Sequence, residues 1–310
     1  MAVIQIEECQ YTEGGTGWRV WPCALLLSCW LAANEVDLGL RTKGVRVLEL
    51  GCGLGLPGLT AAALGAAKTV LTDCLPLLLR TTVRNAKATT LPAGSEASVA
   101  LLDWDTEAPI ADGLEEHFST EQGVKATQLS FAAATVDTQD TEFEPIAGPC
   151  AERFSLILAS DVVYSRRHAL QLAVVVARRI DREGHLAAML PVRSEEHTRC
   201  FLCGLQSAGL HIRITRVDRE WVEGVTAAQG VQGEEASITQ ETPIASGWTE
   251  HVARNGRSFW HDATSKQSVW TNPVTAASWR TTARAFNADF TQLTEGEILF
   301  VLGTSLGETL

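Results

Sequence analysis

A strand-like run that passes directly into a glycine-rich turn constrains this chain more than any other feature. Residues 45–50 read VRVLEL, apolar on both faces, the pattern of a central strand in a parallel sheet. Gly51, Gly53, Gly55 and Gly58 follow at once, and LPGLTAAALGA has the pattern of a helix. Glycines at such a turn let the backbone bend sharply and lie close against a ligand. Asp73 ends the next strand-like run, TVLTD, 22 residues after Gly51. A carboxylate at that point can accept hydrogen bonds from both hydroxyls of a ribose. Strand, turn, helix, strand and carboxylate together specify an adenosine-containing cofactor.

The same alternation continues. Strand-like runs at 99–104, 154–161, 185–190, 211–217 and 297–303 are separated by helix-like runs such as LPLLLRTTVRNAKA and RRHALQLAVVVARRI. Strands alternating with helices predict an α/β fold around a doubly wound, mostly parallel sheet. Two stretches interrupt the rhythm. Between Asp103 and Cys150 there are eleven carboxylates and one lysine, in a chain whose net charge is −12. Residues 106–150 therefore read as an acidic insertion. A Gly/Gln/Glu/Thr linker over 223–242 leads into a compact aromatic block over 243–275. The expected organisation is a core of 1–222 completed by 276–310, with the small module between.

Several classes are excluded or disfavoured. The longest apolar run, Trp21–Ala33, has 13 residues, well short of the ~20 that a membrane-spanning helix needs. No basic patch is evident, so nucleic acid is not an expected partner. The N-terminus lacks a signal-like apolar core. Eight cysteines are scattered, several inside apolar runs, which predicts reduced thiols and a cytoplasmic location, with the nucleus as a second compartment. Cys200 and Cys203 lie within a helical pattern without a second pair, so no metal site is expected.

Glycine spacing leaves two cofactors open. Gly53, Gly55 and Gly58 satisfy the dinucleotide pattern, whereas Gly51, Gly53 and Gly55 give the tighter S-adenosylmethionine pattern. Three further features favour S-adenosylmethionine. Glu49, two residues before Gly51, can face a sulfonium or an amino group and would repel a pyrophosphate. LDWD offers Asp103 and Trp104 to an adenine, one by hydrogen bonding and the other by ring packing. SDVVY brings Asp161 and Tyr164 to the end of the fourth strand, an acidic residue followed by an aromatic one as in enzymes that methylate nitrogen.

TGWRVWPCALLL, VLELGCGLGLPGL, TDCLPLLLRTTVRNA, LDW and LILASDVVY follow one another in order. Together they resemble the seven-β-strand, class I enzymes of methyltransferase family 16, many of which methylate protein lysines. The resemblance implies a Rossmann-like, seven-stranded core and S-adenosylmethionine as cofactor. It implies that Trp21 lies by the cofactor or the target channel, and that Glu49, Gly51 and Gly53 line the methionine end. Asp73 would hold the ribose and Trp104 the adenine. Ala159 would close the pocket wall, and Asp161 and Tyr164 would border the incoming amine, Asp161 orienting it or accepting its proton. Other acceptors (His or Arg side chains, a small molecule, RNA) and a non-catalytic adaptor are the alternatives.

Residues 247–273, GWTEHVARNGRSFWHDATSKQSVWTNP, carry Trp248 and Trp270 on either side of an Asn255–Gly256 turn signal. The block reads as three short antiparallel strands and resembles a WW domain. By that resemblance Trp248, Trp260 and Pro273 form a small buckle, and Phe259, Ser268 and Trp270 form a groove for proline-rich peptides. Phe259 and Ala263 depart from the usual Tyr and His of such modules. Because the last strand of such a core runs antiparallel, the chain to and from this block should meet the sheet at its cofactor edge.

Overall fold

The computed structural model describes residues 4–109, 143–146, 152–219, 221–223 and 293–305, and the backbone of four short strands between 241 and 269. The chain divides into two units, Met1–Arg216 with Phe286–Leu310, and Val217–Ala285.

The first unit opens with α1 (Tyr11–Gly14), α2 (Pro22–Ala33) and α3 (Glu35–Leu38). The alternating series then follows: β1 (Arg46–Leu50), α4 (Leu56–Ala63), β2 (Lys68–Asp73), α5 (Pro76–Ala88), β3 (Glu96–Leu101) and α6 (Trp104–Glu107). After the acidic segment come β4 (Phe154–Ser160), α7 (Arg166–Arg179), β5 (Ile180–Pro191), α8 (Glu195–Ser207) and β6 (Leu210–Arg216). The second unit carries β7 (Glu241–Pro243), β8 (Trp248–Val252), β9 (Ser258–Asp262) and β10 (Gln267–Val269), and β11 (Ile298–Ser305) returns to the first.

Seven strands form one sheet in the order β3-β2-β1-β4-β5-β11-β6. Only β11 runs against the others, pairing antiparallel with both β5 and β6. This is the doubly wound, Rossmann-like arrangement expected from the alternation. The central strands are buried on both faces, as their sequences require: Val47, Leu48 and Leu50 of β1 and Leu156–Ala159 of β4 belong to the core. The uniformly apolar run read at 21–33 becomes α2, started by Pro22 in its first turn. Its Leu26, Leu27 and Leu31 are completely covered, and Trp30 packs on Phe300 with ring centroids 4.7 Å apart. Burial of each such leucine stabilises the fold by about 1.5–3 kcal/mol. Among the described residues, no helix is long and apolar enough to cross a membrane.

Two boundaries differ from the sequence expectation. The third strand ends at Leu101, so Asp103 and Trp104 are not strand residues. Asp103 caps the short α6, its Oδ1 accepting from the Asp105 N–H at 2.9 Å. A capping aspartate competes successfully with strand pairing at this point. The fifth strand begins at Ile180, directly after α7, rather than at 185.

Chain connections at the carboxyl edge of the sheet are well defined. Arg216, the last residue of β6, pairs with Leu299, and Ile298 pairs with Pro191 at the end of β5. The chain thus leaves for the second unit, and returns from it, at the edge where the parallel strands end. The acidic segment also leaves from that edge, after α6. Its first residues are held against the last turn of α7 by Glu107, whose carboxylate accepts from Nε and Nη2 of the fully buried Arg179 at 2.9 and 3.0 Å. Its return, residues 143–146, lies alongside β3 through Leu101. Residues 110–142 lie outside the described residues.

In the second unit, β8, β9 and β10 form the expected antiparallel series, and β7 adds a fourth strand beside β8 in a stretch read as linker. Phe259 pairs in register with His251, and Ser268 with His261. Trp270 and Pro273 lie outside the described residues.

Candidate active site

The glycine turn after β1 is built from left-handed backbone: φ is +61° at Gly51, +53° at Gly53 and +85° at Gly55. A Cβ at Gly51 would stand 2.8 Å from Val162 Cγ1 and 3.5 Å from the Trp104 ring. Gly58 has a different purpose. A Cβ there would meet Leu71 Cδ2 at 2.3 Å and Glu49 Oε2 at 2.7 Å, so this glycine lets α4 lie close against β1 and β2. The turn is fastened from α5, where the buried Thr82 hydroxyl donates to the Gly53 carbonyl (2.6 Å) and Asn85 Nδ2 to the Leu54 carbonyl (3.1 Å). Sequence reading passed over both residues. Their signal was a polar pair on the same helical face as Leu78 and Leu79.

Asp73 stands at the end of β2 on the wall of one open crevice. Its Oδ2 accepts from the Gly53 N–H at 3.1 Å, and its Oδ1 from the N–H groups of Cys74 and Leu75 at 2.8 and 3.3 Å. Burial pushes its carboxyl above the ordinary range, against the pull of these three donors. The crevice continues past Gly51, Gly53, Asp103 and Trp104 to Trp21 and Tyr164. Trp104 is half-buried, with His168 edge-on to its ring at 5.9 Å.

Glu49 and Ala159 are corrections to the sequence reading, since neither lines this crevice. Strand alternation turns Glu49 toward α4, where it is 1% exposed and Oε2 accepts from the Gly58 N–H at 2.9 Å. Oε1 has no partner among the described residues. Burial pushes this carboxyl up to about 8; the Gly58 bond opposes that rise and the charge of Asp73 adds to it. Ala159 is completely covered, between Leu50 and Ala188 in the sheet.

Asp161 follows β4 in a left-handed conformation, φ +53°, that only one other described non-glycine residue, Glu183, shares. The sequence reading put it facing the crevice. It is instead buried beside the wall, both oxygens held by Arg193: Nε to Oδ1 at 2.9 Å and Nη2 to Oδ2 at 2.7 Å. This ion pair is the main feature that sequence reading missed. Its signal was positional, a cation two residues past the end of the strand neighbouring that of Asp161. The Arg193 side chain is 44% exposed. Its guanidinium lies 5.8 Å from the centre of the Tyr164 ring and 5.9 Å from that of Trp21. Trp21 is fixed by its indole N–H, which donates to the Thr16 carbonyl at 2.6 Å. Burial, followed by the charge of Asp161, pushes the Tyr164 phenol up to about 12, so it stays neutral at physiological pH. Among the described residues, no group of three His, Cys, Asp or Glu could hold a metal ion.

A family model described as lysine methyltransferase matches residues 2–119. Protein N-lysine methyltransferase METTL21A of Xenopus tropicalis is 30% identical over 168 residues, 53% of this chain and 69% of that protein. The chain belongs to the lysine methyltransferase family. Other relatives match over shorter spans. EEF1A lysine methyltransferase 3 of Mus musculus is 35% identical over 99 residues, 32% of this chain and 40% of that protein. Histone-arginine methyltransferase METTL23 of Xenopus laevis is 38% identical over 73 residues, 24% of this chain and 27% of that protein. The chain thus spans well under half the length of these last two.

Family membership implies S-adenosylmethionine, and the residues present fit it better than a dinucleotide. The Gly53 and Gly58 amides, which a pyrophosphate would need, already donate to the carboxylates of Asp73 and Glu49. Asp73, the acid on the crevice wall, opposes a diphosphate beside it.

Proposed function

We propose that this family member is an S-adenosylmethionine-dependent N-methyltransferase whose acceptor is a protein lysine. The observation that carries the proposal is the continuity of the crevice: Asp73, Trp104, Trp21 and Tyr164 line one cleft, and the Asp161–Arg193 pair adjoins the two rings at its far end. Asp73 would hold the ribose and Trp104 the adenine. When bound, S-adenosylmethionine supplies a methyl group already activated by its positive sulfur. The protein's task is then to align a nucleophile and to admit it uncharged.

A lysine amine, with an ordinary pKa near 10.4, must lose its proton before attack. The walls formed by Trp21 and Tyr164 desolvate it, which favours the neutral form. A lone carboxylate beside it would have the opposite effect and hold it as ammonium. Arg193 cancels that charge, so Asp161, buried beside the wall, does not hold the amine as ammonium.

The test is transfer of labelled methyl groups into a cell extract treated beforehand with protease or with nuclease. Label lost to protease and recovered as methyl-lysine supports the reading. A guanidine acceptor is the second reading, favoured by the match to a histone-arginine methyltransferase, and the hydrolysate would then contain methyl-arginine. We further propose that residues 243–275 form a WW-type module recruiting proline-rich segments of the protein substrate. The antiparallel series β8–β10 and the sequence positions of Trp248 and Trp270 support it. Loss of proline-rich peptide binding in Trp270→Ala of the full chain is the expected result; unchanged binding would overturn it.

A further inference from the structure

The wall that α7 contributes to the crevice carries an acceptor without a donor. Gln171 lines the crevice together with Asp103, Trp104 and Asp105, yet it is 0% exposed to solvent. Its Nε2 donates to Asp105 Oδ1 at 2.7 Å. An ionised carboxylate only accepts, so this bond decides which end of the amide is nitrogen and which is oxygen. Asp105 is itself held, since Arg167 Nε donates to the same oxygen at 2.8 Å and the Asp105 N–H donates to Asp103 Oδ1 at 2.9 Å. The hydrogen bonds from Gln171 and Arg167 keep the Asp105 carboxyl below its ordinary range, hence ionised. The amide is locked, and it cannot turn to seek another partner. Gln171 Oε1 nevertheless has no partner among the described residues.

A buried acceptor left in this state is costly and uncommon, and at a ligand site the missing donor is expected on the ligand. The surroundings narrow what that donor is. Trp104 offers an aromatic surface on the same wall, and His168, one turn earlier on α7, stands edge-on to that ring with its own Nδ1 unpartnered. A flat heteroaromatic ring bearing an exocyclic amine and ring nitrogens matches such a wall, and adenine is that ring. Hypoxanthine, with a carbonyl in place of the amine, would set acceptor against acceptor. Asp103, assigned to the adenine from sequence, is less suited to discriminate: it is exposed, and its Oδ1 already caps α6. Rejection of a wrong base is strong only where the reading group is buried and left unpaired by the mismatch.

We propose that Gln171 is a cofactor-specificity residue, its Oε1 accepting a hydrogen bond from the exocyclic amine of adenine beside Trp104. The proposal rests on the assignment of S-adenosylmethionine to this crevice. The experiment is calorimetric binding of S-adenosylhomocysteine and of its inosine counterpart to the full chain. Wild type should prefer the adenosine ligand by about 10- to 100-fold, the range set by one buried hydrogen bond. Gln171→Met, close in shape and unable to accept strongly, should reduce that preference to about threefold, mainly by weakening the adenosine ligand. Asp105→Ala, which frees the amide but keeps its oxygen, should give an intermediate preference. Equal affinity of wild type for both ligands overturns the proposal, as does full preference retained by Gln171→Met. Should Gln171→Met not fold, wild type decides through an N6,N6-dimethyl adenosine ligand, which must bind as poorly as the inosine one. If neither ligand binds wild type, the cofactor assignment fails and this inference falls with it; binding without discrimination removes the inference alone.

Discussion

The two ends of the crevice are held together by different means. At the adenosine end, Asp73 is fixed by N–H groups of its own loop and of the glycine turn, within 20 residues of sequence. At the proposed acceptor end, Asp161 is fixed by the side chain of Arg193, 32 residues away across the whole of α7 and β5. The first end is a property of backbone shape and tolerates few substitutions. The second depends on one ion pair between adjacent strand ends, so it can be altered without disturbing the first. A protein built this way can keep its cofactor while its acceptor changes.

The comparison can be broken most forcefully at Asp73. Asp73→Ala removes the carboxylate proposed to hold the ribose and the acceptor of three N–H groups. Cofactor affinity should fall more than about 100-fold, as expected for losing two bonds to a charged group, which calorimetry would read. Affinity within a few-fold of wild type would remove Asp73 from the site.

Glu49 separates stability from binding. Its carboxyl is raised to about 8 in the folded chain from an ordinary 4.5, so the folded state holds a proton that the unfolded state releases. Stability from this group is therefore full below about pH 4.5 and falls as pH rises towards 8, by about 1.4 kcal/mol for each pH step of one, a few kcal/mol in all. Urea midpoints of the cofactor-free protein should drop over that window, and Glu49→Gln should flatten the decline. A Glu49→Gln profile parallel to wild type would contradict the assignment.

Arg193 tests the acceptor end. Arg193→Met leaves the Asp161 carboxylate unpaired beside the acceptor end of the crevice and should slow methyl transfer by about 10- to 50-fold at neutral pH. The rate should recover as pH rises, and cofactor affinity should stay within about twofold. A uniform loss at every pH would make Arg193 structural only. The smallest effect concerns Ser165, whose Oγ accepts from the His168 N–H at 3.1 Å and caps α7 beside Tyr164. Ser165→Ala should cost about 1 kcal/mol of stability in thermal unfolding and leave cofactor affinity unchanged.

What the sequence made legible follows the same division. The glycine turn, Asp73 and the alternation of strands and helices are local patterns, each set by residues within one or two turns of chain. They were readable because backbone geometry restricts which residues can stand there. Trp104 and Tyr164 were placed on the crevice because each was read at or just past the carboxyl end of a strand. Glu49 was misread because alternation alone does not tell which face of β1 the helix covers, and Gly58 decides that by letting α4 approach. Arg193, Gln171, Thr82 and Asn85 were missed because each acts through a partner distant in sequence, and no spacing rule connects them. The groove read at Phe259, Ser268 and Trp270 came from the resemblance of residues 247–273 to a WW domain, and Trp270 lies outside the described residues.

The most direct measurement is a calorimetric titration of the full chain with S-adenosylmethionine, with NAD as the control ligand and Asp73→Ala as the control protein. Saturable one-to-one binding of the sulfonium ligand, absent with NAD and lost in the variant, is the predicted result. Binding of NAD, or equal binding of S-adenosylmethionine by wild type and variant, would contradict it.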